Sequence, residues 1–195
     1  MRPRTQKQSR RQPGSVRIIA GEWRGRRLPV ADIPGLRPTG DRVRETLFNW
    51  LQPRIAGARV LDLFAGTGVL GLEAVSRGAR EAVLVEQDRQ AVANLRSTVE
   101  MLGAADRVEV IRADGLGWLG TGPPPFDLIF LDPPFEADLW NALLEKIPAY
   151  LSAGGQVYLE NPASVPPALP DRYQIDRDKI MGEVQLRLLT VAHCS

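Results

Sequence analysis

Val60–Gly71 reads VLDLFAGTGVLG. Val60, Leu61 and Leu63 form a short apolar run of the kind that makes a strand buried on both faces. It passes directly into Gly66, Gly68 and Gly71, and an apolar helical pattern opens immediately after. Glycines allow a tight turn and close approach of a ligand to the backbone, and the helix amino terminus adds unpaired N–H groups. Strand, glycine turn and helix in that order begin a parallel α/β sheet, whose ligands bind at the carboxyl ends of the strands. Taken literally, Gly66-x-Gly68-x-x-Gly71 is also the dinucleotide fingerprint. Glu86 lies 20 residues past Gly66, at the end of the next strand, where an acid would hold ribose hydroxyls. On the glycines alone, an NAD-linked oxidoreductase competes.

Two features decide against it. Asp62 lies inside the strand end before the glycines, where it suits a cationic amino group and would repel a pyrophosphate. Ala65–Gly71 supplies no Lys or Arg to hold one. Asp114, in the RAD sequence that ends the third strand, is placed to accept the exocyclic amine of an adenine. Asp62, Glu86 and Asp114 at successive strand ends describe a pocket for a cationic adenosine ligand, S-adenosyl-L-methionine. The expected cofactor-binding residues are Asp62, Phe64, Ala65, Gly66, Thr67, Gly68, Glu86 and Asp114.

Asp127–Phe135, DLIFLDPPF, carries the chemistry. Leu128–Leu131 is a second buried strand, and it stops at Asp132-Pro133-Pro134-Phe135. Neither proline has an N–H for the ladder, and the pair holds the backbone extended. One carboxylate, one fixed carbonyl and one ring are left at a carboxyl strand end. These suit an amino group on a flat base: Asp132 and the Pro133 carbonyl accept its N–H groups, and Phe135 covers the ring face. Asp132, Pro133, Pro134 and Phe135 are the expected catalytic residues.

Around these stretches the pattern alternates strand and helix. Strands are expected near Arg59–Phe64, Ala82–Glu86, Arg107–Arg112, Asp127–Leu131 and Gln156–Glu160. Helices are expected near Val69–Arg77, Arg89–Leu102 and Ala137–Leu151, with a helical turn at Gly115–Leu119. Tyr173–Ile180 and Val184–Val191 read as a terminal hairpin joined at Gly182-Glu183, so one of the last strands must run antiparallel. Ahead of the sheet, Asp41 is expected to cap a helix running to Gln52. Val43, Leu47, Trp50 and Leu51 should face the core, with Arg42, Arg44 and Glu45 on the opposite side.

Length and composition bound the rest. A chain of 195 residues with 44% hydrophobic content suits one soluble domain. No signal-peptide pattern or bilayer-length apolar run is present, so a cytoplasmic protein is expected. Cys194 and His193 are the only cysteine and histidine, which argues against a structural zinc site, an internal disulfide or His-driven catalysis; no metal is expected. The net charge of +2 conceals a segregation. Met1–Arg44 carries twelve Lys+Arg against three Asp+Glu, a balance of +9, and the remainder stands at −7. A basic arm that meets a polyanion is the expectation. Residues 1–15 read as a basic disordered tail, and 16–40 as a basic hairpin and linker. Residues 41–195 read as the catalytic domain. Trp23, Arg24, Arg26, Arg27, Arg37 and Arg42 are the expected RNA contacts, with basic residues for phosphates and an aromatic for stacking; a Trp23 that caps a small local core is the alternative.

DLFAGTG together with DPPF resembles the amino-methyltransferases of the class I S-adenosylmethionine fold. More narrowly, RIIAGEWRGRRLPV, LRPTGDRVRETLFNWL, LDLFAGTGVLGLEAVSRGA and FDLIFLDPPF are similar to the RsmD family of bacterial 16S rRNA guanine-N2 methyltransferases, over about Arg17 to Val191. Gly40 departs from the threonine or serine expected of the family. The resemblance implies a Rossmann-like, mostly parallel seven-stranded sheet with helices on both faces, its last strand inserted antiparallel, plus a small amino-terminal hairpin. It also implies a guanine of 16S rRNA in the small ribosomal subunit as target, and a monomer without membrane association is expected. The residues alone specify only an amine on a base, so adenine amino-methyltransferases remain an alternative.

Overall fold

Successive residues of the central strands divide between two apolar layers. Val60, Leu84, Phe130 and Tyr158 face one, and Leu61, Val83, Ile129 and Val157 face the other. This is the period of 2 expected of strands covered on both faces. The computed structural model describes residues 14–30, 39–133 and 137–192. Its strands are β1 (Ser15–Arg17), β2 (Arg27–Pro29), β3 (Arg59–Asp62), β4 (Glu81–Glu86), β5 (Val108–Arg112), β6 (Phe126–Leu131), β7 (Leu151–Pro162), β8 (Tyr173–Met181) and β9 (Val184–Val191). Its helices are α1 (Asp41–Leu51), α2 (Val69–Ser76), α3 (Arg89–Leu102), α4 (Gly115–Leu119) and α5 (Ala137–Lys146).

β3 to β9 form one seven-stranded sheet in the order β5-β4-β3-β6-β7-β9-β8. The pairs from β5 to β7 are parallel, and β9 enters antiparallel between β7 and β8. The strand order reverses between β3 and β6, which places the ligand crevice beside the ends of those two strands. Residues of α1, α2 and α3 pack into the layer containing Phe130, and residues of α4 and α5 into the layer containing Ile129.

Two boundaries differ from the sequence expectation. The helix expected to reach Leu151 ends at Lys146, and a 3₁₀ turn follows over Ile147–Tyr150. Pro148 lacks the N–H that a continuing α-helix would use. β7 runs Leu151–Pro162, well beyond Gln156–Glu160, because Leu151 already pairs with Phe126 before an irregularity at Phe126/Leu128 resets the register.

Asp41 does not cap α1. Gly40 takes the N-cap position with φ −63° and makes no side-chain cap bond. That backbone angle does not require glycine, and a Cβ there would meet nothing within 4 Å. Gly40→Ser should therefore supply a cap and restrict the unfolded chain, raising stability by roughly 0.5–1 kcal/mol. A rise in the urea midpoint at constant m would register it.

The larger correction concerns Arg44, expected on the outer face of α1. It is fully buried, because Glu73, also fully buried, waits for it on α2. Arg44 Nη1 donates to Glu73 Oε2 at 2.8 Å, and Arg77 Nη2 reaches Glu73 Oε1 at 2.8 Å. The same two carboxylate oxygens accept the backbone N–H groups of Ile19 (2.9 Å) and Ala20 (3.0 Å). One acid thus ties the amino-terminal hairpin to both helices. Ser76 adds to the tie, donating to the Ala20 carbonyl at 2.7 Å and accepting from the Trp23 N–H at 2.9 Å. At Gly21 the contact is so close that a Cβ would lie 1.8 Å from the Ser76 carbonyl oxygen, and φ there is +83°.

Candidate active site

β3 ends at Asp62, which is 3% exposed, and its Oδ2 accepts the N–H of Gly71 at 3.1 Å. The loop that follows turns through Gly66 at φ +53° and Gly68 at φ +73°. A Cβ on Gly68 would lie 2.4 Å from Leu95 Cδ2, and one on Gly71 2.3 Å from Leu84 Cδ2. Gly68 is held to glycine by its positive φ, and at both positions a Cβ would push a leucine methyl of α3 or β4 aside. Ala65 holds the loop to β4 through its N–H to the Val85 carbonyl at 2.9 Å, while Phe64 and Thr67 remain partly exposed.

Glu86 closes the other wall. Its Oε2 accepts from Gly66 N–H at 2.9 Å and its Oε1 from Asp88 N–H at 2.8 Å. Each carboxylate oxygen has a second lone pair for a hydroxyl. Asp114 lies further along the same edge, exposed, and caps α4 by accepting from Gly117 N–H at 2.7 Å. Its second oxygen is the one left for a ligand amine. A glycine cradle, a buried acid and two acids with spare acceptors fit S-adenosylmethionine, with its cationic amino acid end, its ribose and its adenine.

Asp132 follows β6 directly. Asp62 pairs with Phe130 in the register of β3 and β6, and Leu131 pairs with Leu159 in that of β6 and β7. Asp62, Asp132 and Glu160 therefore lie across three neighbouring strand ends. All three are in phase with Val60, Phe130 and Tyr158, and so share the α1–α2 face of the sheet. Burial and the neighbouring Glu160 and Asp62 push the Asp132 carboxyl well above its ordinary range. Burial raises Asp62 from 3.8 to about 7, against the pull of the Gly71 N–H. Burial also raises Glu160, while donors from Tyr158 and Thr39 draw it back towards the ionised form. Pro133 is buried, and Pro134 and Phe135 lie outside the described residues.

The site is thus short of positive charge, as a pocket for a cation should be. Between pH 3.8 and about 7 the folded protein keeps a proton on Asp62 that the unfolded chain has lost. Stability must fall as pH rises through that window. Asp62→Asn is expected to stabilise the cofactor-free protein at pH 8 by on the order of 3 kcal/mol, or roughly 6–12 °C in Tm. The same change should weaken S-adenosylmethionine binding at least tenfold in calorimetry. In the wild type, affinity should rise from pH 6 to pH 7.5 as Asp62 loses its proton.

The basic residues divide in two. Arg24, Arg26, Arg27 and Arg42 are exposed as expected, and Arg37 lies outside the described residues. Trp23 is not available for stacking on a base. It is 5% exposed, its ring is buried in the core, and the Arg107 guanidinium covers it 5.2 Å from the centroid. The tip of the hairpin is held at Ser76 and, through Glu22 and Arg107 at 2.9 Å, at the start of β5. That is the end of the sheet opposite Asp132. Arg24 and Arg26 are therefore set back from the acids by about the length of α2, roughly 12 Å. Arg27, with Arg17, instead lines a cleft of about 360 Å³ that also involves Thr39, Gly40 and Asp41.

Glu160, Tyr158 and Thr39 escaped the sequence reading as site residues. Glu160 carried the signal that marked Asp62 and Glu86, an acid at a parallel strand end. The family described as "Conserved hypothetical protein 95" matches residues 16–190. "Ribosomal RNA small subunit methyltransferase D" of Escherichia coli strain K12 is 42% identical over 178 residues, which is 90% of this chain and 89% of that protein. The chain belongs to the RsmD family. The Haemophilus influenzae member of the same name is 41% identical over 90% of this chain and 93% of its own length. Among solved structures, "Putative methyltransferase yhhF from Escherichia coli" superposes with a TM-score of 0.83 at 41% identity, covering 91% of this chain and 98% of that one. The RsmD fold, inferred from four sequence segments, is therefore the fold observed.

Proposed function

We propose that this protein methylates the exocyclic N2 amine of a guanine in 16S rRNA, with S-adenosylmethionine as donor. The observation that carries this is Asp132-Pro133 at the end of β6, directly beside the cofactor acid Asp62 across the β3–β6 crevice. The RsmD relatives named for small-subunit rRNA support the substrate class. Bound in the glycine cradle, the cofactor supplies an electrophilic methyl group on a sulfonium that leaves readily.

The harder problem is the nucleophile, since the guanine N2 lone pair is delocalised into the ring. Asp132 and the Pro133 carbonyl accept the two N–H groups of that amine and favour a pyramidal nitrogen. Alignment of reactants can supply about 7–11 kcal/mol, and a general base about 10²–10⁴-fold. Orientation is thus the larger effect, and Asp132 acts first as orienter and then as proton acceptor. Phe135 covers the base. Burial raises Asp62 to about 7 and lifts Asp132 well above its ordinary range; a cation beside them offsets their repulsion and favours the ionised, accepting form.

A base must leave its stack to reach these groups, at a cost of a few kcal/mol. Arg24, Arg26, Arg27, Arg37 and Arg42, together with Arg17, supply compensating phosphate contacts. Changing Arg24, Arg26 and Arg27 to glutamine should flatten the slope of log K against log salt for rRNA binding by about 2–3 units. An unchanged slope would place the RNA elsewhere. The function itself is tested by incubating the protein with labelled S-adenosylmethionine and 16S rRNA, naked or in small subunits, followed by mass mapping of the product. N2-methylguanine at one position is expected; N6-methyladenine would select the adenine reading.

A further inference from the structure

Glu160 is the one acid at the edge of the crevice to which the mechanism above gives no task. It ends the parallel part of β7 next to Asp132, on the same face of the sheet. It is 8% exposed, and its placement is enforced. The Tyr158 hydroxyl donates to Oε2 at 2.9 Å, and the Thr39 side chain, just ahead of α1, also bonds to the carboxylate. Two donors on it favour Glu160 as an acceptor, and among the described residues none is placed on Asp132. Each carboxylate oxygen has two lone pairs, so with these donors in place Glu160 still has acceptor capacity for a ligand N–H.

The Watson–Crick edge of guanine presents such a pair of donors. N2–H and N1–H are adjacent and point the same way, whereas adenine presents an acceptor at N1. We propose that Glu160 selects guanine by accepting its N1–H while Asp132 accepts N2–H. A base with a lone pair at N1 then meets a carboxylate oxygen with no proton between them. A site built to receive a hydrogen bond rejects an analogue lacking that donor more strongly than it rejects a change of size. The inference rests on the guanine-N2 reading and deepens it.

The test uses rRNA fragments carrying guanine or 2-aminopurine at the target position. 2-Aminopurine keeps the 2-amine, lacks the N1–H and carries hydrogen where guanine has O6. The wild type should methylate guanine roughly 10- to 100-fold more efficiently in kcat/KM, the worth of one hydrogen bond to a charged group. In Glu160→Gln the side-chain amide can turn to donate to N1, so the ratio should shrink towards unity while affinity for S-adenosylmethionine is kept. Glu160→Asp, which keeps the charge but draws the oxygens back by one methylene, should shrink it as well. A wild type indifferent to the two bases would overturn the proposal. So would variants that lose rate on both bases equally, the outcome of a purely structural role. Failure of the underlying reading looks different: the wild type would then leave no methyl group on guanine N2.

Discussion

Asp132→Ala is expected to slow methyl transfer by roughly 10²–10⁴-fold and to leave S-adenosylmethionine affinity within a few-fold of the wild type. The asymmetry follows from position. Asp132 follows β6 and is proposed to accept from the amine, while the acids proposed to hold the cofactor, Asp62 and Glu86, end β3 and β4. Single-turnover transfer from labelled cofactor, paired with calorimetry, separates the two effects. Asp132→Asn divides the role further, since its amide oxygen still accepts an N–H but does not serve as a base at neutral pH. If orientation dominates, Asn recovers most of what Ala loses. The pH profile gives an independent reading. Burial, Glu160 and Asp62 raise the Asp132 carboxyl, so wild-type transfer should increase with pH as it ionises, and the Asn profile should be flat. Unchanged turnover in Asp132→Ala would remove this residue from the mechanism.

The second large effect concerns stability. Glu73→Ala takes from Arg44 its buried carboxylate partner, leaving only the half-exposed Asp41 carboxylate at 2.6 Å, and leaves the N–H groups of Ile19 and Ala20 without acceptors. Breaking a buried ion pair costs about 3–5 kcal/mol, and each orphaned buried donor about 1–3 kcal/mol more. Against a total stability of about 5–15 kcal/mol, this variant should be largely unfolded at 37 °C. Glu73→Leu combined with Arg44→Met should be more stable than Glu73→Ala, because no charge is left buried. It should still fall short of the wild type, because the two backbone donors stay unpaired. Urea midpoints of the four proteins of the corresponding cycle measure the coupling. A Glu73→Ala protein with a wild-type midpoint would show that the hairpin and α1 stand without this carboxylate.

The same residues show how far the sequence carries. Phe130 and Leu131, alternating into the two layers, fix a strand buried on both faces. Gly66, Gly68 and Gly71 then fix a ligand loop at its end, since both signals are local and follow from backbone geometry. Asp62, Glu86 and Asp132 were legible for a related reason: a parallel sheet presents strand ends at one edge, so an acid there is visible from strand periodicity alone. Arg44 was misread because helix periodicity gives a face but not what lies opposite it. Only the docking of α2 brings Glu73 within 2.8 Å and reverses the sign of burying a guanidinium. Sequence leaves Trp23 undecided between stacking and core for the same reason, since an aromatic among arginines has one local pattern whether it faces solvent or the core.

The sequence by itself determined the parallel α/β order, the glycine loop and the acid that follows β6, because each is set by neighbours within a few residues. Only the tertiary structure decided which charges are enclosed, that Glu160 stands beside Asp132, and that the hairpin tip lies far from the site. Those outcomes depend on chain segments separated by tens of residues, and no local pattern encodes which of them meet.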